Sequence, residues 1–277
     1  MNEQTLNTLP DFLDRLGMTE EPMGMFFTSQ KPEGGFSPDA CEMPTREKEM
    51  KNEVDWQNLF GIFSCAIGKI RLARKKKTAA WFCADHFGCP GAAFWMGFNK
   101  PQIEMIVHYV STGIPGRMKG ELYCDSPDNL RQIFEQVDPV PAFDKYCVFK
   151  PLSRFEKNET PVTVSFFSRP EPLSGLHQLA CFVTNDPEVV ASPWSAACGS
   201  LVAWPLYYLN KNENRAVLGG WDPSARKYFK TDELSFTVPF QMFEQMIQRY
   251  ESSFLSTGTW QNVQKKINKS KKTWKEL

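Results

Sequence analysis

The residues best suited to chemistry lie in one short segment, Cys83-Ala84-Asp85-His86-Phe87-Gly88-Cys89-Pro90-Gly91, which carries two thiols, an imidazole and a carboxylate. Trp81-Phe82 before it is typical of the end of a buried strand. The apolar residues 92–96 after it predict a helix, with Pro90 at the first helical position. Cys89 would then face the unpaired N–H groups of a helix N-terminus, so we predict a pKa below the free thiol value of about 8.5 and a thiolate available as ligand or nucleophile. The alternative is a small buried residue in a tight turn.

The elements around this segment alternate between helices and strands without an internal repeat. Apolar spacing and capping residues predict helices over residues 9–16, 56–73, 92–96, 126–134, 176–182, 192–204 and 240–254. Apolar, aromatic or β-branched runs predict strands over residues 22–27, 81–82, 105–110, 121–124, 146–149, 161–167 and 233–238. We therefore expect an α+β fold, with a mixed or antiparallel sheet and packed helices.

The chain, residues 1–277, is expected to form one compact domain with its core over about residues 10–255. Residues 31–52 are rich in Pro, Gly, Glu and Lys and predict a long surface excursion. Residues 258–277 form a basic C-terminal tail, which we expect to be frayed or solvated and not an arm that binds nucleic acid.

Charge and hydropathy narrow the class of partner. Basic and acidic residues number 32 each, so the formal net charge is zero and no overall electrostatic attraction to nucleic acid is expected. No stretch approaches the roughly 18 uninterrupted apolar residues of a membrane helix, and the first residues lack a secretion signal. We predict a cytoplasmic protein that binds no membrane and whose partner is a small molecule or another protein.

The chain has eight cysteines, at positions 41, 65, 83, 89, 124, 147, 181 and 198. Without a secretion signal and at this density, we expect thiols or metal ligands and no disulfide scaffold. No two cysteines have the CxxC spacing of a zinc ribbon. Any metal or cluster site must therefore be assembled from segments that lie far apart in the sequence.

Five short motifs, taken in order, resemble a cysteine-rich family of archaea and bacteria known as domain of unknown function 169. The motifs are Pro22-Met23-Gly24-Met25-Phe26-Phe27, Phe63-Ser64-Cys65-Ala66, Cys89-Pro90-Gly91-Ala92-Ala93-Phe94-Trp95-Met96-Gly97, Ala197-Cys198-Gly199 and Asp232-Glu233-Leu234-Ser235-Phe236-Thr237-Val238-Pro239. The resemblance runs from about residue 10 to about residue 255. It implies that the family's cysteines correspond to Cys65, Cys89 and Cys198, and it implies no particular reaction.

Three thiols of this kind would suit an iron–sulfur cluster or a thiolate-bound metal, because thiolates are soft ligands. A four-iron cluster has four ligand positions. We therefore predict Cys65, Cys89 and Cys198 as ligands, with Cys83 or His86 as a fourth ligand, or with that position open to substrate or water. The function predicted from this set is an oxygen-sensitive redox role, with a small molecule or a redox protein as partner.

Two other functions fit the same residues. In the first, the chain is a small-molecule binding module or an accessory protein for assembly, whose cysteines are packed and whose 22 Phe, eight Trp and seven Tyr residues partly line an apolar pocket. In the second, Cys89 is a nucleophile and His86 its base. Glycine-rich phosphate-binding loops are missing from the sequence, so neither a nucleoside triphosphatase nor a dinucleotide-binding fold is predicted.

Overall fold

A seven-stranded sheet lies at the centre of the computed structural model, which describes residues 3–99, 104–137 and 139–275. The strands are β1 (Met23–Thr28), β2 (Ala80–Phe82), β3 (Gly113–Ile114), β4 (Met118–Lys119), β5 (Tyr146–Pro151), β6 (Thr163–Ser168), β7 (Val190–Ala191), β8 (Ala216–Gly219) and β9 (Leu234–Pro239). The sheet order is β2-β5-β1-β6-β9-β8-β7, and β3 pairs with β4 apart from it. All neighbours in the large sheet are antiparallel except β7 and β8, so the sheet is mixed.

Helices cover both faces of this sheet. They are α1 (Glu3–Leu16), α2 (Arg46–Met50), α3 (Trp56–Ile62), α4 (Ala66–Lys76), α5 (Pro90–Trp95), α6 (Glu104–Val110), α7 (Pro127–Val137), α8 (Pro170–Thr184), α9 (Ala197–Leu201), α10 (Ala203–Asn210), α11 (Phe240–Arg249) and α12 (Gly258–Lys275). Short 3-10 helices follow β5, β8 and α11, and the one at Pro223–Tyr228 reaches the candidate site. None of the helices in the described ranges is both long and apolar enough to cross a membrane.

The alternation of side chains along the strands divides the interior into two cores. Phe166 points to the first core, where α1, α8 and α11 pack, and its neighbour Phe167 points to the second. The second core contains α4, α5, α9 and α10 and includes Cys65, Cys89 and Cys198. The predicted α+β class and single compact domain are confirmed, and the three cysteines share one face of the sheet.

Two of the predicted strands are wrong. Residues 105–110 belong to helix α6, because a short apolar run fits a buried helix as well as a strand. Residues 121–124 form no strand. Instead, the backbone N–H groups of Glu121 and Tyr123 donate to the carbonyls of Tyr109 and Val110 at the end of α6, where helix carbonyls have no partner within the helix.

The predicted helix 56–73 is two helices, α3 and α4, separated at residues 63–65. The backbone N–H of Ser64 donates to the carbonyl of Gly88 at 2.9 Å and not to a carbonyl one turn earlier. As a result Cys65 is the residue that precedes the first turn of α4, and not a residue inside a helix.

The surface excursion, the C-terminal tail and the helix predicted over residues 192–204 also differ in detail from the prediction. Residues 31–52 contain α2, and Phe36 forms a parallel bridge with Ala80 at the edge of the sheet. The basic tail forms helix α12, and its last two residues, 276 and 277, lie outside the described ranges. Residues 192–196 are not helical, so the predicted helix 192–204 begins only at Ala197, with Ala196 before it.

Candidate functional site

A backbone hydrogen bond brings Cys65 and Cys89 together. The N–H of Ser64 donates to the carbonyl of Gly88, so the residues that follow, Cys65 and Cys89, begin adjacent chain segments. Each of these cysteines directly precedes a helix, α4 after Cys65 and α5 after Cys89. The Sγ atom of Cys89 accepts a hydrogen bond from the backbone N–H of Ala92 at 3.4 Å.

Gly88 is required for this close approach. Its φ is +88°, a conformation that L side chains rarely adopt, and an added Cβ would lie 2.5 Å from the carbonyl oxygen of Ser64. A larger residue would therefore separate the two segments that carry Cys65 and Cys89.

Cys198 reaches the same region on the first turn of α9. Helix α9 packs against α5 at Gly199, where an added Cβ would lie 2.7 Å from the indole ring of Trp95. Glycine thus allows the two short helices to approach each other closely. Cys198 is 5% exposed, while Cys65 and Cys89 are half-buried, so the site lies near the surface.

Asp222 ties this region to the 3-10 helix Pro223–Tyr228. One carboxylate oxygen accepts from the N–H of Ala197 at 3.3 Å, and the other accepts from the N–H of Ser224 at 2.9 Å. Asp222 therefore caps the start of α9, next to Cys198, and fixes it relative to the following segment.

The three thiols interact electrostatically with one another and with Asp222. Charge on Cys65 raises the pKa of Cys89, and charge on either of these raises the pKa of Cys198. Asp222 raises the pKa of all three thiols. We call Cys65, Cys89 and Cys198 the three-cysteine centre.

The predicted fall in the pKa of Cys89 is wrong. Burial, the largest influence, raises the pKa of Cys89 to about 11, and the N–H groups of Gly91 and Ala92 reverse only part of that rise. Burial also raises the pKa of Cys65 and, more strongly, that of Cys198. In the absence of a cation or metal the thiols of the centre are therefore neutral at physiological pH.

Cys83 and His86 do not lie with the centre. Cys83 belongs to the first core, on the opposite face of the sheet, and its Sγ donates to Asp85 at 2.9 Å. The Nδ1 atom of His86 lies 2.8 Å from the carbonyl oxygen of Pro38, and its ring packs on Trp81. Cys89 and His86 thus have different hydrogen-bond partners, which gives no support to a nucleophile and base pair.

The donor set of the centre does not match a single bound ion. Among the described residues, no group of three or more His, Cys, Asp or Glu side chains is arranged to hold one metal ion. All eight cysteines are free thiols.

The sequence analysis did not identify several polar residues that lie next to the centre. Asp222 interacts with all three thiols, Glu121 interacts with Asp222, and Tyr109 interacts with Cys89. The only local signal was for Asp222, an aspartate followed by proline, which is typical of the start of a helix. Glu121 and Tyr109 lay within predicted strands and carried no signal.

Replacing Asp222 with asparagine is expected to speed the alkylation of Cys65 and Cys89 by iodoacetamide near neutral pH. Asp222 raises the pKa of both thiols, so its removal lowers these values and increases the thiolate fraction at any pH below them. We expect an acceleration of no more than about threefold, because Asp222 affects these thiols less than burial does and one full pKa unit is a tenfold change in thiolate. Asparagine keeps one acceptor oxygen for a backbone N–H but loses the other, so circular dichroism must check that the fold is kept. Mass spectrometry of the modified peptides gives the rates.

Asp85→Asn is the matched control, because it removes a carboxylate that acts on Cys83 and not on the centre. Its alkylation rates at Cys65 and Cys89 should equal those of the unaltered chain. Equal rates in Asp222→Asn would contradict the electrostatic role given to Asp222.

No curated protein and no solved structure matches the chain. The family model described as uncharacterised ArCR, domain of unknown function 169, matches residues 11–249, which is most of the chain. The protein therefore belongs to the uncharacterised ArCR family.

Proposed function

We propose that the three-cysteine centre binds an iron–sulfur cluster and that the protein has a redox role. One observation carries this proposal: the hydrogen bond from Ser64 to Gly88 and the close packing of α9 on α5 bring Cys65, Cys89 and Cys198, which come from three distant segments, to the same core. Thiolates are the ligands that iron–sulfur clusters use. The donor set of the centre fits such a group.

A cluster and a single ion need different distances between the three thiolates. A tetrahedral zinc ion holds each sulfur at about 2.3 Å, so its thiolates must lie in contact with one another. The ligands of a cluster bind different iron atoms and stay farther apart. The described residues contain no group arranged for one ion, which is compatible with a cluster and argues against a zinc knuckle.

Backbone N–H groups around the centre favour a group with negative charge. Those of Ile67 and Gly68 lower the pKa of Cys65, and those of Gly91 and Ala92 lower that of Cys89. N–H groups directed at cluster sulfurs stabilise negative charge and tune the reduction potential. Iron would also displace the thiol protons, which removes the unfavourable effect of burial on thiolate formation.

Three cysteine ligands would leave one iron of a four-iron cluster for another ligand. When bound, such a cluster supplies electron transfer and a Lewis-acidic iron. The residues of this chain would contribute the surroundings: Cys65 and Cys89 are half-buried, so a small molecule can approach from that side. Trp95 and Gly199 exclude water from the Cys198 side by close packing.

The first experiment is to purify the protein without oxygen and to measure its iron, acid-labile sulfide and zinc contents together with its visible spectrum. We expect about three to four iron atoms per chain, matching sulfide, and a broad absorption band that oxygen bleaches. Protein that stays free of iron and sulfide after anaerobic reconstitution would defeat the proposal.

One observation favours a second candidate, a small-molecule binding module with packed cysteines. Burial raises the pKa of all three thiols, as expected for neutral thiols that serve as packing residues. Metal-free protein in which the cysteines can be replaced without loss of stability would support this candidate over the cluster.

A further inference from the structure

The outer side of helix α4 is strongly basic. Residues 66–77 include six Lys or Arg residues and no Asp or Glu, although the net charge of the whole chain is zero. The buried residues of α4 all lie on one side of the helix and pack in the second core; they are Ala66, Ile67, Ile70 and Ala73. Because an α-helix has 3.6 residues per turn, the side turned away from that core carries Lys69, Arg71, Leu72, Lys75 and Lys76.

The 3-10 helix Pro223–Tyr228 extends this surface. Tyr228 packs on α4 at Gly68, where an added Cβ would lie 3.0 Å from the ring of Tyr228. Nη1 of Arg71 donates to the carbonyl of Lys227 at 3.1 Å, and Nζ of the exposed Lys227 lies 5.3 Å from the centre of the Tyr228 ring. We call this surface the basic face; it consists of Lys69, Arg71, Leu72, Lys75, Lys76, Lys227 and Tyr228.

The positive charge of the basic face is not neutralised by neighbouring carboxylates. Glu233 and Glu20 both pair with Arg74, and Glu20 also pairs with Lys230. Within the described ranges, no Asp or Glu forms an ion pair with a cation of the basic face. The helix dipole favours cations in the last turn of α4, which does not account for those at positions 69, 71 and 227.

The composition of the basic face is typical of a protein docking surface. Leu72 is 40% exposed, and residues three and four positions away on a helix are its neighbours, which here include Lys69, Lys75 and Lys76. An apolar centre with a polar rim is the usual arrangement of a protein interface. Small-molecule sites are concave, whereas the side of a helix is convex. The face therefore fits a protein with acidic groups better than a free anion.

The basic face begins beside the three-cysteine centre. Cys65 directly precedes α4 and is half-buried. At about 1.5 Å per residue, Lys76 lies roughly 16 Å along the helix axis from Cys65. A protein bound to this face would therefore lie next to the centre. Electron-transfer proteins often meet through small interfaces of less than about 1,200 Å², and opposite charges speed their association.

We propose that the basic face docks an acidic protein that carries single electrons, and that this carrier exchanges electrons with the cluster at the three-cysteine centre. The inference rests on the proposed function, because it names the partner of that site. A reduced carrier gives one electron to the oxidised cluster, or an oxidised carrier takes one from the reduced cluster. No bond forms or breaks and no proton moves in this exchange.

The test uses a plant-type two-iron ferredoxin, a small acidic electron carrier, as the probe. Its dissociation constant is measured by calorimetry with the anaerobically reconstituted protein. We expect saturable binding that weakens at least about tenfold between about 0.01 M and about 0.15 M salt, because the screening length falls from about 30 Å to about 8 Å. Cytochrome c, a small basic carrier, should not bind.

Charge reversal on the basic face should weaken this binding. Lys75→Glu combined with Lys76→Glu turns two attractions into repulsions, so we expect an affinity at least about tenfold lower at low salt. Lys265→Glu combined with Lys266→Glu is the matched control. It changes the net charge equally, on exposed residues of α12, whose Trp260 packs against the first core on the other face of the sheet. Its affinity should change by less than about threefold.

Leu72→Ala tests the apolar centre of the face without a change in charge. It should weaken ferredoxin binding and leave the salt dependence unaltered. Circular dichroism checks that all variants keep the fold. In stopped-flow experiments the double variant of α4 should also slow electron transfer from reduced ferredoxin to the loaded protein, and the α12 variant should not.

Three results would overturn the docking surface: no binding of ferredoxin, an equal loss of affinity in the two double variants, or equally tight binding of duplex RNA or of vesicles that contain phosphatidylserine. Protein that takes up no cluster defeats the proposed function instead. The binding measurements then decide on the basic face alone, because they need no electron transfer.

Discussion

Replacing Cys89 with serine is expected to abolish iron and sulfide binding, and Cys65→Ser and Cys198→Ser should do the same. Each change removes one of the three proposed thiolate ligands, and a serine hydroxyl is neither a soft ligand nor ionised near neutral pH. Loss of residues that merely orient ligands costs about 10- to 100-fold in metal affinity, so loss of a ligand should lower iron content at least tenfold. Iron and sulfide analysis of anaerobically reconstituted protein, with the visible spectrum, measures the effect.

Cys83→Ser is the matched control, since Cys83 is also buried but lies on the opposite face of the sheet with Asp85 as its partner. Its iron content should equal that of the unaltered chain. Circular dichroism of all four variants checks that the fold is kept. An unchanged iron content in Cys65→Ser, or a reduced iron content in Cys83→Ser, would contradict the assignment of ligands.

The position of Cys89 could be predicted from local sequence, but its ionisation could not. Pro90 after Cys89 indicates a helix start, and α5 does begin at Pro90. The sign of the pKa shift depends on how far the thiol is removed from water by the second core, which includes residues of α4 and α9 that are distant in sequence. Desolvation then outweighs the N–H groups of one helix turn.

The position of Cys65 could not be predicted from its own neighbourhood. The apolar spacing of residues 56–73 is continuous and favours one helix. The break arises because Ser64 bonds the carbonyl of Gly88, a contact formed only when the segments meet in the folded chain. The same holds for Glu121, whose backbone N–H bonds the carbonyl of Tyr109 at the end of α6. The sheet was easier to predict, since β6 and β9 carry long β-branched and aromatic runs.

The strongest expected effect on stability comes from Glu233→Gln, because Glu233 anchors the end of the helix that begins after Cys65. Glu233 is 2% exposed, and its two oxygens accept from Arg74 in the last turn of α4 at 2.7 and 3.0 Å. Arg74 also bonds Glu20 and stacks on the ring of Phe167. Glutamine keeps the shape but removes the charge, which leaves a part-buried guanidinium with Glu20 as its remaining carboxylate partner among the described residues. We expect a loss of about 2–4 kcal/mol in the free energy of unfolding, measured with urea.

Glu47→Gln provides the comparison, since Glu47 pairs with Lys51 on an exposed helix turn, and such pairs contribute about 0.3–0.5 kcal/mol. If Glu233→Gln is no more destabilising than Glu47→Gln, the Arg74 pair does not anchor α4. If it does anchor the helix, Glu233→Gln should also increase the alkylation rate of Cys65 more than that of Cys89, because only Cys65 directly precedes α4. The stability of the fold and the geometry of the three-cysteine centre would then depend on the same buried ion pair.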